Sequence, residues 1–198
     1  MINTKKTEKK FKRNFQNILE LIGEDPSREG LVKTPERIYK AYLEWLRGYE
    51  EPDFETSVFK SDYSGILIRK NIPFQSFCEH HLALYKGYID FAYIPNGYVI
   101  GISKIPRFLK HYSAKLTIQE NLTEDLLRRF YSIFQNHENA QTPKGTMIII
   151  KAWHSCESSR GIKVDAPTIT SSVRGIFERD ASAKNEVLEL LKRDNDKR

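Results

Sequence analysis

Cys78, Glu79, His80 and His81 stand in an unbroken run, and the only other cysteine, Cys156, follows His154 by two positions. Both cysteines and three of the five histidines thus fall in two short clusters. Cys78 and His81, in C-x-x-H spacing, can reach one ion from a single turn or strand end. Cys156 would join them from HSCESSRG, directly after a predicted strand. Thiolate, imidazole and thiolate make a donor set suited to zinc. A structural zinc ordinarily takes four protein ligands, and no third cysteine is present to close such a site. Three ligands leave a position open, which lets the ion lower the pKa of a bound water and polarise an electrophile. His80 and His154 lie beside ligands without having to be ligands, which makes them candidates for moving protons. Hydrolysis with histidine acid–base help is the chemistry this pattern supports. Packing of a buried cysteine among polar histidines would account for one such pair, not for two. His111 and His137 are read as exposed residues on a helix face or end.

Between the clusters, Ser103, Lys104 and Arg107 gather where a strand hands over to a helix N-terminus. Free N–H groups and the positive end of the helix dipole favour an anion there, and adjacent cations strengthen a phosphate site. Gln119 and Glu120 follow. A carboxylate can accept two parallel hydrogen bonds, matching the adjacent ring N–H and amino donors of guanine. Taken singly, neither signal is specific: basic residues early in a helix are usually solvated, and most Gln-Glu pairs lie on surfaces.

The elements that must position these groups read as α+β. Helices are expected over 14–22 and 35–47, the second with Thr34 as N-cap, Pro35 in its first turn and Gly48 as a stop. GILIRKNI and LYKGYIDFAYI carry strand chemistry, and PNG is expected to turn the second into a hairpin with YVIGI. Helices from about Lys104 to Leu116 and from Thr123, strands over Lys144–Trp153 and TSSVRGIF, and a helix over 182–192 complete the order. An antiparallel sheet with helices on one face fits it. The 198 residues suit one substantial domain. The first 13 carry +5 of the net charge of +6 and read as a basic, mobile tail, followed by a helical segment over 14–60 and a catalytic domain over 61–198. With a nearly neutral body and no aromatic-interleaved basic stripe, no nucleic-acid partner is expected. No apolar run is long enough to span a bilayer, the start lacks the apolar region of a secretory signal, and two cysteines suit the cytosol, which is the expected location.

CEHH, AYIPNGYVIGISKIPR, QENLTEDL, HSCESSRG and TSSVRGIF, in this order and spacing, resemble GTP cyclohydrolase I, and GEDPSREGLVKTPERIYKAY resembles the segment preceding that family's catalytic domain. The resemblance runs from about residue 15 to 192. It implies zinc on Cys78, His81 and Cys156, catalysis by His80 and His154, and guanine recognition by Glu120 with Gln119 beside it. It further implies triphosphate contacts from Ser103, Lys104, Arg107 and Arg160, with Arg37 and Lys40 added by a neighbouring subunit. The implied fold is the tunnelling fold, in which antiparallel strands of several subunits close a barrel inside an outer layer of helices, here as a homodecamer of two pentamers. The implied reaction is attack of water at C8 of GTP, opening of the imidazole ring, release of formate, and rearrangement of the ribose to give 7,8-dihydroneopterin triphosphate, the first step of pterin and folate biosynthesis. SAKLT before Gln119, Asn121 after Glu120, and Glu157 and Ser158 in CESSRG depart from the family pattern without touching a ligand or catalytic histidine. Two alternatives compete. A zinc nucleobase deaminase would need H-x-E and P-C-x-x-C, which the chain lacks. An inactive zinc-binding homologue holding a nucleotide or protein partner would not need to keep His80, His154 and Glu120 together.

Overall fold

The computed structural model describes residues 4–52 and 55–192, and the chain divides between Glu51 and Pro52 into two compact units. The first unit pairs α1 (Lys5–Leu21) with α2 (Thr34–Trp45), followed by a short 3-10 turn over Arg47–Tyr49. Phe11 and Phe15, one helical turn apart on α1, meet Tyr42 edge-on, and Phe11 also meets Tyr39. Lys12 bridges Glu8 and Glu36, the latter on α2. These contacts explain a correction: the basic stretch expected to be a mobile tail is helical from Lys5, with the Thr4 hydroxyl accepting the Thr7 N–H at 3.2 Å. Residues 1–3 of that stretch lie outside the described residues. Lys33 rather than Thr34 occupies the N-cap of α2.

In the second unit β1 (Val58–Lys60) pairs only with β4 (Tyr98–Ile100). The main sheet is antiparallel in the order β2 (Leu67–Cys78), β3 (Ala83–Ile94), β5 (Gly145–His154), β6 (Thr168–Gly175). The expected hairpin across PNG is therefore corrected. The chain does turn at Asn96 and Gly97, but β4 leaves the sheet and pairs with β1, and the Ile100 N–H is bonded to the Tyr93 hydroxyl at 3.2 Å. The long hairpin is β2–β3, closed by the Cys78–Leu82 turn. A bulge between Arg69 and Ile72 places Asn71 at φ 52°, where its N–H donates to Asp90 Oδ1 at 2.7 Å.

Side-chain alternation splits the core in two. Ile89, Phe91 and Tyr93 of β3 and Ile148 and Ile150 of β5 face α3 (Lys104–Ser113) and α4 (Gln119–Gln135), whose Leu109, Leu126 and Phe130 are fully buried against them. His111 of α3 is only 6% exposed and meets the edge of Tyr112, correcting the expectation that it is a surface residue; His137 is partly buried. Ala92 and Met147 point to the opposite face, covered by Phe177 of α6 (Ile176–Arg179) and Val187 of α7 (Ala181–Lys192). Helices thus pack on both faces rather than one, because the sheet's second face is apolar at this end. Near Tyr88 and Lys151 it stays open.

The link from α3 to α4 fixes the metal end of β2. Lys115 O accepts the Phe77 N–H at 3.1 Å, Phe77 O accepts the Thr117 N–H at 2.9 Å, and Ser76 Oγ donates to Lys115 O. Asp125 anchors this link through Lys115 (2.5 Å) and Arg129 (2.9 Å). Burial raises the Asp125 pKa, but hydrogen bonds from Lys115 and then Arg129 outweigh it, and the net shift is downward from 3.8. A carboxylate with a depressed folded pKa stabilises the fold above its unfolded value, and that stability is lost as pH falls through the folded one. Asp125→Asn is expected to cost about 1–3 kcal/mol at pH 7. The gap in urea midpoint between variant and parent should close as pH falls below about 4; a gap independent of pH would deny the anchor.

Candidate metal-dependent active site

Cys78 ends β2, His81 sits in the following turn, and Cys156 lies in the single helical turn α5 (Ser155–Ser158) that continues β5. Leu82 at φ 51° turns the chain back into β3 after its N–H has returned to Cys78 O at 2.9 Å. That reversal leaves His81 Nδ1 3.7 Å from Cys78 Sγ. Ser155, bonded through its hydroxyl to Leu84 O, ties α5 to β3 beside them. The ligand atoms of Cys78, His81 and Cys156 all lie within 4.8 Å of one another, the one such group among the described residues. Burial, then the neighbouring Cys78, push the Cys156 thiol up. A cation held between the sulfurs removes that conflict, because it stabilises both thiolates at once. The donor set and its spacing fit a zinc ion.

Beside the triad is a pocket of about 250 Å³, lined by Cys78, His80, Tyr85, Gln119, Glu120, His154, Cys156 and Glu157, with Thr117, Ile118 and Thr168. Glu120 stands in the first turn of α4, which begins four residues earlier than expected, so its place at the pocket rim is set by a helix and not by a loose segment end. Gln119 is anchored behind the pocket wall through its amide nitrogen. It is 1% exposed, and its Nε2 donates to Ile150 O, Thr168 O and Thr170 Oγ1, each at 3.1 Å. Its Oε1 lies 2.8 Å from His154 Nε2. Because the amide NH₂ is fully committed, Oε1 must accept and His154 Nε2 must carry the hydrogen. Neutral His154 then has its lone pair on Nδ1, the nitrogen left to exchange a proton with a molecule in the pocket. The Gln119 amide thus sets the His154 tautomer from the pocket wall, and its Oε1 keeps a second lone pair beyond the one that His154 uses. Burial lowers the His154 pKa, opposed by the charges of Glu120 and Glu157.

The other expected residues are not gathered here. Ser103, Lys104 and Arg107 lie at the N-terminus of α3, just beyond β4, at the Tyr93 end of β3. The metal triad lies at the Tyr85 end, eight residues or about 27 Å away along the strand. Arg160 follows α5 in an exposed loop and does not line the pocket. Arg37 and Lys40 share an exposed face of α2, with Lys40 paired to Glu36 at 2.8 Å, in the other compact unit. Reading the sequence missed Tyr85, Thr117, Thr168 and Glu157. Tyr85 had a signal, since it occupies the alternating position of β3 that faces the same side as Ile89 and Phe91.

An α+β chain that brings two thiols and an imidazole together beside a pocket, with a tautomer-locked histidine in its wall, carries the groups of a metal-dependent enzyme. The family model for GTP cyclohydrolase I matches residues 11–192. A GTP cyclohydrolase 1 of Campylobacter curvus is 40% identical over 185 residues, covering 91% of this chain and 94% of the relative. One from Geobacillus kaustophilus is 42% identical over 180 residues, covering 88% and 92%. The chain belongs to the GTP cyclohydrolase I family, and it is a hydrolase of that family.

Proposed function

We propose that this pocket hydrolyses GTP with release of C8 as formate and, after rearrangement of the ribose and closure of a new ring through two of its carbons, yields 7,8-dihydroneopterin triphosphate, with zinc on Cys78, His81 and Cys156. The observation that carries this reading is the convergence of the metal triad, His80, His154 and Glu120 on one pocket. When bound, the ion supplies a nucleophilic water at neutral pH and a Lewis acid. Glu120 accepts two parallel hydrogen bonds from the pyrimidine edge of guanine, which turns the imidazole edge and its C8 toward the triad. His154 Nδ1 takes and returns protons as the C8–N bonds open, held in register by Gln119. His80, exposed at the rim, is the second proton carrier.

At about 250 Å³ the pocket is smaller than the roughly 300–1,000 Å³ of common ligand sites. A nucleoside triphosphate would therefore extend out of it. Ser103, Lys104 and Arg107, at the far end of β3, serve the triphosphate of a site on another copy of the chain, as Arg37 and Lys40 do, while Arg160 serves its own. The barrel of several copies implied by the tunnelling fold supplies that arrangement, with β2 and β6 as the outermost strands of the four-stranded sheet among the described residues.

The test incubates zinc-loaded protein with GTP and assays formate and, after oxidation, the fluorescent pterin. Both products should form and disappear with a chelator. His154→Ala should lower formate release by about 10²–10⁴-fold with zinc retained. Folded, zinc-loaded protein that yields neither product would overturn the reading in favour of an inactive nucleotide-binding homologue.

A further inference from the structure

Tyr85 and His154 are directly opposed in the β3–β5 ladder, and their rings lie nearly parallel, with centroids 4.5 Å apart and planes 12° from one another. Among the described residues most close ring pairs are tilted or edge-on, as at Phe91 and Phe130 or Phe74 and Tyr85. The stack is therefore a particular arrangement at the pocket, not the general packing of its core. Tyr85 is itself 1% exposed and cannot swing away, because Phe74 meets it edge-on from β2. From these contacts we infer that Tyr85 is a positioning residue for His154: it holds the plane of the imidazole, while Gln119 holds its rotation and tautomer.

Two constraints of different kind are needed, since one hydrogen bond at Nε2 leaves the ring free to rock about that contact and carry Nδ1 off line. A face-to-face aromatic wall removes the rocking. Proton transfer is sensitive to such displacement, because reacting atoms must stay within hydrogen-bond reach. The part that matters is the ring. Among the described residues the phenol oxygen is buried without a hydrogen-bond partner, while Ser76 donates its hydroxyl to Lys115 O. The assignment rests on the catalytic role proposed for His154.

The experiment compares Tyr85→Phe, Tyr85→Leu, Tyr85→Met and His154→Ala in the zinc-loaded enzyme, reading kcat and KM for formate release together with zinc content. Tyr85→Phe keeps the stack and should hold kcat within about twofold. Leu and Met fill much of the volume without a flat face and should lower kcat about tenfold, with KM for GTP and zinc content unchanged. Met is included in case Leu prevents folding. Full kcat in Leu or Met would overturn the inference. So would a Phe variant as slow as Leu, which would move the effect to the hydroxyl, or a loss of zinc in parallel with kcat, which would mark a structural role only. An active His154→Ala protein would instead overturn the catalytic reading of His154 itself.

Discussion

Cys156→Ala is expected to weaken zinc binding about a hundredfold and to lower formate release from GTP with it, while leaving the fold in place. The three residues that would hold the ion come from separate parts of the chain: Cys78 from the end of β2, His81 from the turn after it, and Cys156 from α5. Cys78 and His81 share one short turn and can hold an ion only from one side. Cys156 comes across from the end of β5 and would close the set from the other side. A four-ligand zinc site binds with roughly 10–16 kcal/mol, so one ligand accounts for about 3 kcal/mol, or about a hundredfold in Kd. Competition with a chromogenic chelator measures that loss directly, and turnover should follow zinc content. Cys156 is only partly buried and sits in a one-turn helix, so its truncation removes little packing, and the far-UV circular dichroism of the variant should match the parent. Full zinc occupancy and turnover in the alanine protein would mean that the ligand set is wrong. Loss of the fold would mean that the site is structural.

The proximity of Cys78, His81 and Cys156 was legible in the sequence because two of the three share one turn. C-x-x-H in one turn is a geometric statement, and a chain with a single further cysteine leaves one partner for it. The role of Gln119 was not legible. It depends on where the carbonyls of Ile150 and Thr168 fall on two strands far along the chain, and no spacing rule carries that. The same holds for Tyr85, whose importance comes from its register opposite His154. Alternation gave the strands of the sheet and their buried faces, but not the partner of β4, because a three-residue strand holds too little pattern to choose between β3 and β1. The N-terminal basic stretch misled for a different reason. Charge was read as solvation, whereas Phe11 and Phe15 on the same helix supply the apolar face that folds it against α2.

Gly87→Ala is expected to be strongly damaging to the sheet. A Cβ built at Gly87 falls 1.9 Å from Lys151 O and 2.6 Å from Ala152 Cα. Both are backbone atoms of β5, so no rotamer change relieves the overlap, and the paired strands must part. Strain of this kind costs about 3 kcal/mol or more, a large share of a typical stability of about 5–15 kcal/mol. Gly97→Ala provides the contrast. Nothing lies within 4 Å of a Cβ there, and the cost arises only from φ +78°, for which about 1–2 kcal/mol is usual. Urea unfolding should therefore rank parent, Gly97→Ala and Gly87→Ala in falling order of midpoint, at equal m-value. The damage should also reach the chemistry. Gly87 and Ala152 are paired two residues from the Tyr85–His154 pair, so strands forced apart at the first must shift the stacked rings at the second. Cys78 and His81 lie on the β2 side of the hairpin and would be moved less. At a temperature where Gly87→Ala remains folded, its kcat should thus fall further than its zinc affinity. Equal losses would mean that the displacement spreads through the whole sheet end, and an unchanged midpoint would show that β3 and β5 are not packed backbone to backbone at this position.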